Sequence, residues 1–429
     1  MQTLLSYDQS PPLAAPFRFF LTAPVFGILG GVLILCYPEV FASRWTPATL
    51  ALTHLITVGF MLQVMLGALI QILPVVAGAN IGSPLRVAGL VHAAISVGTV
   101  FLVAAFFSYS PAAFKVAALL FTVGIACFIV SALRAFSGVP TTSPTVGGLK
   151  LSLAGLTVTA ALGVGLTAAL GWSLDWPLMQ LADIHLGWGF VAWGTVLLAA
   201  VAYVVVPMFQ ITRPYPRVFE RFFAVATIGA LAVWSISEWV DAGAISLVLA
   251  LVVVLAVACF AGVTLKVQRT SKRSRFDATQ HLWRAAMLSA LAACAVWGAG
   301  RFVPTVAERA EWPVLFGALV LAGGFMSVIV GMLYKIVPFL VWLHLQNLGQ
   351  GRVVAPNMKK IISEAAMERQ SAAHVLACVL VALAALWPAT FAYPAGASLV
   401  VANAWLLWNL TAAVRLYRSQ VSHIESLRA

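Results

Sequence analysis

The sequence predicts an all-α polytopic membrane protein, with twelve transmembrane helices arranged as three four-helix repeats with pseudo-threefold symmetry. Three observations lead there. Hydrophobic residues make up 62% of the 429-residue chain and charged residues 9%, whereas a soluble domain carries about 25% charged residues. Twelve segments are long and apolar enough to cross a hydrocarbon core, which takes about 20 residues. One pattern also recurs three times. The run 54–60 (His-Leu-Ile-Thr-Val-Gly-Phe) leads into 67–74, 183–190 (Asp-Ile-His-Leu-Gly-Trp-Gly-Phe) leads into 202–207, and 323–325 (Gly-Gly-Phe) leads into 331–338. The closing prolines Pro74, Pro207 and Pro338 stand 133 (207 − 74) and 131 (338 − 207) residues apart. That period is far longer than a solenoid repeat.

The first repeat, 1–140, holds spans near 17–37, 48–74, 85–108 and 111–134. Its opening residues lack the basic region of a cleavable leader, and the run from Phe17 is long enough to span. The linker 141–148 opens the second repeat, 141–275, with spans near 148–171, 178–210, 217–240 and 243–266. The basic stretch 266–275 leads to the third repeat, 276–429, with spans near 282–300, 312–342, 371–391 and 394–417. Lipid offers the backbone no hydrogen-bond partner, so runs of this length and apolarity are helices. The loop 344–369 of the third repeat is the longest. Past Pro356 it has helical spacing, with charges on one face and Met358, Ile361, Ile362 and Ala365 offset from them. This predicts an amphipathic segment lying along the membrane surface. Trp45, Trp172, Trp176, Trp239 and Trp312 fall at helix ends as an interfacial aromatic belt.

The net charge is +12, and its placement decides its meaning. With alternate loops on opposite sides and the N-terminus inside, twenty Lys and Arg residues fall on the inner side and four on the outer, with Lys335 inside a helix. The positive-inside rule then puts both termini in the cytoplasm of a bacterial-type inner membrane. Topology and attraction to anionic lipid account for the basic surface without nucleic acid. The five cysteines lie in apolar helices with no paired spacing. They read as small hydrophobes rather than as disulfides or a metal motif.

Ionisable groups within lipid are costly, so each is a candidate site. His54, in the second helix, and His185, at the start of the sixth, precede their repeat prolines by 20 and 22 residues. They occupy roughly corresponding places, and the third repeat has no histidine there. Neutral imidazole is the commonest metal ligand. Gly59, Gly187 and Gly189 follow them and would let a flat macrocycle approach the backbone. Each histidine is equally read as an interhelical hydrogen-bond donor. Asp183 is either a carboxylate orienting an imidazole or an interfacial charge. His92 and His374 form a second pair, in the third and eleventh helices, as ligands to a further cofactor or part of a proton route. His281, His344 and His423 sit among basic residues at inner boundaries and read as solvated. Lys335 stands where the other repeats have Gln71 and Val204. It snorkels to the inner surface, or it neutralises a carboxylate or a haem propionate. Tyr203 and Tyr334, at matching positions, line a polar path or pack.

Three four-helix units with histidines in helices two and six resemble the haem–copper oxidase subunit I superfamily. The opening is similar to the NnrS family of haem- and copper-containing membrane proteins linked to nitric oxide metabolism: 16–21 (Pro-Phe-Arg-Phe-Phe-Leu), then 52–54 (Leu-Thr-His), Gly59-Phe60 and 73–78 (Leu-Pro-Val-Val-Ala-Gly). The resemblance implies haem b, copper or both, with His54 at the helix-two haem-ligand position and His185 at the helix-six copper-ligand position. It departs from the superfamily in helices seven and ten, since 217–240 and 312–342 contain no histidine. NnrS proteins usually carry His-x-His-Glu in helix two, where this chain has only His54. A complete oxygen-reducing centre therefore cannot be assembled in the usual way, and terminal oxidase activity is not expected. A role in respiration or nitric oxide metabolism, in partnership with a cytochrome or respiratory complex, is one expectation. A cofactor-free transporter, or a structural subunit of such a complex, is the other.

Overall fold

The computed structural model describes residues 10–141, 143–349 and 355–426. Among these, twelve helices are long and apolar enough to cross a membrane: α1 Ala14–Cys36, α2 Pro47–Ala77, α3 Pro84–Ser108, α4 Pro111–Phe136, α5 Pro144–Trp172, α6 Leu178–Gln210, α7 Arg217–Trp239, α8 Ala244–Gln268, α9 Ala278–Phe302, α10 Glu311–Gly349, α11 Glu364–Leu386 and α12 Pro388–Ser426. The chain is an integral membrane protein by this measure, and no strand interrupts the helices among the described residues.

Three of the spans are not uniformly α-helical. Residues Leu55–Leu62 of α2, Trp188–Thr195 of α6 and Leu319–Met326 of α10 are π-helical, with the wider turn that bonds i to i+5. The segments begin 133 (188 − 55) and 131 (319 − 188) residues apart, so each starts 19 residues before its proline (74 − 55, 207 − 188, 338 − 319). All three contain glycine, which has low helix propensity. In two of them a hydroxyl follows the i−5 step: Thr195 Oγ1 donates to Phe190 O (2.8 Å) and Ser327 Oγ to Ala322 O (3.2 Å).

The chain divides into two compact units. One comprises residues 11–69, 275–289 and 310–429, the other 1–10, 70–274 and 290–309. Neither coincides with a single sequence repeat. In the first unit α1 packs along α12, α11 along α12 and α10 against both α11 and α12, and the π segments of α2 and α10 touch. Small residues bring these backbones together, as expected where lipid supplies no hydrophobic drive. A Cβ on Gly31 would come within 2.8 Å of Gly396 O, and one on Gly396 within 2.9 Å of Gly31 O. In the second unit α3 packs on α4, α4 on α5, α5 on α6 and α7 on α8. A Cβ on Gly155 of α5 would meet the Ala192 backbone of α6 at 2.6 Å.

Several boundaries differ from the sequence reading. The eleventh span ends at Leu386 and the twelfth begins at Pro388, because the residue before a proline is pushed out of the α region. Trp387 accordingly has ψ 70°. The amphipathic surface helix predicted past Pro356 reduces to the single turn Met358–Ile361, capped by the Asn357 side chain. Ser363 then accepts the Ala366 amide and starts α11 at Glu364. Ala365 thus belongs to a spanning helix, while Ile361 and Ile362 are buried. Residues 350–354 of that loop lie outside the described residues.

The basic stretch 266–275 is folded onto the end of α6. Ser271 Oγ donates to Gln210 O (2.6 Å), Arg273 Nη2 to Phe209 O (2.7 Å) and the Lys272 amide to Ile211 O (3.0 Å). These donors satisfy carbonyls that a helix C-terminus leaves open, and the charges complement its dipole. Nearby, Tyr215 in the α6–α7 link bonds Thr264 (3.1 Å). Its burial raises the phenol pKa above the ordinary value, with Glu220 adding to the rise and the Thr264 bond opposing it.

Candidate functional site

His54 stands one residue before the π segment of α2, half-buried. Its Nδ1 lies 2.7 Å from Leu50 O, one turn back. A carbonyl can only accept, so this nitrogen carries the proton and Nε2 carries the lone pair. His185 stands three residues before the π segment of α6. Its Nδ1 lies 3.0 Å from Thr159 O of α5, which assigns the same tautomer. The ring rests on Gly163 of α5, where a Cβ would come within 2.8 Å of His185 Cε1. Any other residue there would displace the imidazole.

Counted from the π segments, the two histidines differ by two positions. That is about 200° around an α-helix, so each stands on a different face of its own helix relative to the π segment that follows it. The glycines near them are not open. A Cβ at Gly59 would strike the Phe26 ring, one at Gly187 would meet Trp234 at 2.7 Å, and one at Gly189 would meet Thr159 at 3.4 Å. The flat surfaces expected to receive a macrocycle are thus covered at Gly59 and Gly187 by aromatic side chains. Trp188 beside them bonds Ser235 of α7 (2.9 Å). Asp183 is half-buried.

The second sequence pair separates in character. His92 of α3 is half-buried. His374 of α11 is 1% exposed. Its Nε2 lies 3.0 Å from Ser327 Oγ, at the end of the α10 π segment, and 3.4 Å from Cys378 Sγ, one turn along α11. Cys378 Sγ also donates to Ala322 O (3.1 Å).

Lys335 pairs with Asp277 at 2.7 Å, each side chain about a fifth exposed (20% and 21%). The carboxylate alternative raised by the sequence is the one realised, because Asp277 sits where α9 begins and its other oxygen caps the Gln280 amide (3.0 Å). His344 is not solvated either: it is half-buried in α10, and its Nε2 is buried without a partner. His281 and His423 are exposed. The two matched tyrosines take different roles. Tyr334 donates to Gln370 Oε1 (2.9 Å) and accepts from Asn409 Nδ2 (2.9 Å), whereas Tyr203 OH is buried with no partner and its ring packs on Tyr215.

The sequence reading missed Ser327, Gln370, Cys378 and Asn409. The polar stripe Gln370, Ser371, His374, Cys378 has helical spacing and was visible. Its partners on α10 and α12 were not. Among the described residues, no group of three or more His, Cys, Asp or Glu side chains is placed to hold a metal ion. The donor chemistry of His54 and His185 suits single-imidazole ligation, since a backbone carbonyl orients each ring in the manner of a metal-bound histidine. No protein-family model matches the chain, and no curated protein matches it.

Proposed function

We propose that this integral membrane protein is a triplicated four-helix assembly of the haem–copper oxidase subunit I and NnrS type. In this reading it holds copper or a haem b through one imidazole, and it lacks an oxygen-reducing centre. One observation carries the reading: π-helical turns recur at the same distance before a proline in α2, α6 and α10, and the histidines stand at the entry to two of them. Segments of this kind concentrate at functional sites. His54 and His185, each held at Nδ1 by a backbone carbonyl, are the imidazoles that would hold the copper or haem b. A bound copper or haem supplies a one-electron couple and a site for a small diatomic molecule, consistent with a part in respiration or nitric oxide metabolism. The excess of inner positive charge supports cytoplasmic termini in an inner membrane, with a cytochrome or respiratory complex as the electron partner.

A second reading, a cofactor-free transporter or structural subunit, is favoured by the aromatic cover over Gly59 and Gly187. That cover weighs against a macrocycle at those places and leaves copper as the better-fitting group.

Two measurements on the purified protein decide between them: a reduced-minus-oxidised visible spectrum and copper by elemental analysis. The proposal expects haem bands or copper, with the haem bands lost or the copper per chain lowered on His54→Ala, His185→Ala or both. Absence of both signals supports the second reading.

A further inference from the structure

The α10–α11 contact gathers four donor atoms that the reading above does not use. They are His374 Nε2, Cys378 Sγ, Ser327 Oγ and Ala322 O. Their separations are 3.4 Å (Nε2 to Sγ), 3.0 Å (Nε2 to Oγ), 3.9 Å (Sγ to Oγ), 3.1 Å (Sγ to Ala322 O) and 3.2 Å (Oγ to Ala322 O). An ion with metal–sulfur bonds of about 2.3 Å and metal–nitrogen bonds of about 2.0 Å sets tetrahedral edges of roughly 3.3–3.6 Å. The Nε2–Sγ separation of 3.4 Å falls in that range, and the contacts of 3.0–3.2 Å to the hydroxyl and carbonyl are hydrogen bonds that open on binding. The π turn contributes directly, because the widened step lets Ser327 reach back five residues to the Ala322 carbonyl.

We propose that His374 and Cys378 bind copper(I), with the Ser327 hydroxyl and the Ala322 carbonyl lying beside the ion rather than ligating it strongly. Charge selects the ion. A thiolate and a monovalent cation sum to zero, whereas a divalent ion on the same ligands would leave a net positive charge beside a histidine that is 1% exposed, at a depth where lone charges are expensive. No third His, Cys, Asp or Glu joins these two among the described residues, so no carboxylate is present to balance a second charge. Thiolate softness favours copper(I), and a d10 monovalent ion accepts two or three strong ligands where zinc(II) prefers four.

Binding is an exchange. The Cys378 S–H bond breaks as the copper–sulfur bond forms, and the proton leaves to the aqueous phase. His374 donates the Nε2 lone pair and keeps its proton on Nδ1. No electron moves, and copper stays monovalent. The site uses neither His54 nor His185.

The test loads purified protein with copper(I) held reduced by ascorbate. It reads copper per chain, and the copper-edge X-ray absorption of a variant in which Cys36, Cys127, Cys259 and Cys294 are serine. The proposal expects a sulfur neighbour at about 2.3 Å. Changing Cys378→Ala in that background should remove the sulfur signal and about one copper per chain, and His374→Gln should weaken binding tenfold or more. If the four-serine variant does not fold, the same difference is read between wild type and the single Cys378→Ala and Cys378→Ser variants. Loading the His54→Ala/His185→Ala protein separates this site from the one above, because the sulfur signal persists there whatever becomes of the other metal. A copper shell without sulfur, or copper retained in full by both Cys378 variants, overturns the proposal.

Discussion

Lys335 Nζ of α10 lies 2.7 Å from Asp277 Oδ2 at the start of α9, and the other Asp277 oxygen accepts the Gln280 amide. One carboxylate therefore anchors a lysine and caps a helix. Removing one partner strands the other, so Lys335→Met or Asp277→Asn should each lower stability in detergent by about 1–2 kcal/mol. That is less than a fully buried pair would lose, because water still reaches these groups. The Lys335→Met/Asp277→Asn double variant should lose less than the sum of the singles. Thermal melts of the four proteins check this, and strict additivity would show that the pair carries no coupling.

Tyr203 and Tyr334 each stand four residues before a repeat proline, yet they should respond oppositely to loss of the hydroxyl. Tyr334→Phe strands Gln370 Oε1 and removes the acceptor of Asn409, costing about 1–3 kcal/mol. Tyr203→Phe removes a buried hydroxyl that has no partner and should be neutral or slightly stabilising. Paired melting curves separate the two.

Gly163 is required by the imidazole above it. Gly163→Ala places a methyl within 2.8 Å of His185 Cε1 and should tilt the ring off Thr159 O. If His185 ligates metal, bound metal per chain should fall in this variant as it does in His185→Ala. Gly262→Ala in α8, where nothing lies within 4 Å of the added carbon, should leave metal unchanged and stabilise the helix by about 0.5–1 kcal/mol. Equal metal content in both variants would remove His185 from the site.

The Tyr215 phenol has a folded pKa raised by burial, with Glu220 adding and Thr264 opposing. Its contribution to stability is complete below the unfolded value of about 10 and is lost as pH rises toward the higher folded value. Stability should therefore decline with pH above about 10, and Tyr215→Phe should flatten part of that decline. Denaturation at stepped alkaline pH, with phenolate absorbance followed in parallel, measures it.

The spans were legible because their apolar runs exceed what any soluble helix needs. The start of α11 was not, since Glu364, Glu368 and Arg369 look like loop until Ser363 is seen capping them. Asp277 could not be assigned to Lys335 from sequence, as 58 residues separate them. Cys378 was read as a small hydrophobe. Its spacing of four from His374 was visible, but its meaning depended on Ser327, on another helix and 47 residues before His374. The histidines at 54 and 185 were found from their cost in lipid and their matching places before Pro74 and Pro207, and their tautomers needed the carbonyls of Leu50 and Thr159.

The π turns bear on how such helices are read at all. A stretch bonded i to i+5 holds more residues per revolution than an α-helix does. A helical wheel drawn straight through α2, α6 or α10 therefore loses phase at that stretch. Residues upstream, such as His54, and residues downstream, such as Tyr203 or Lys335, must be plotted on separate wheels before lipid-facing and protein-facing sides are compared.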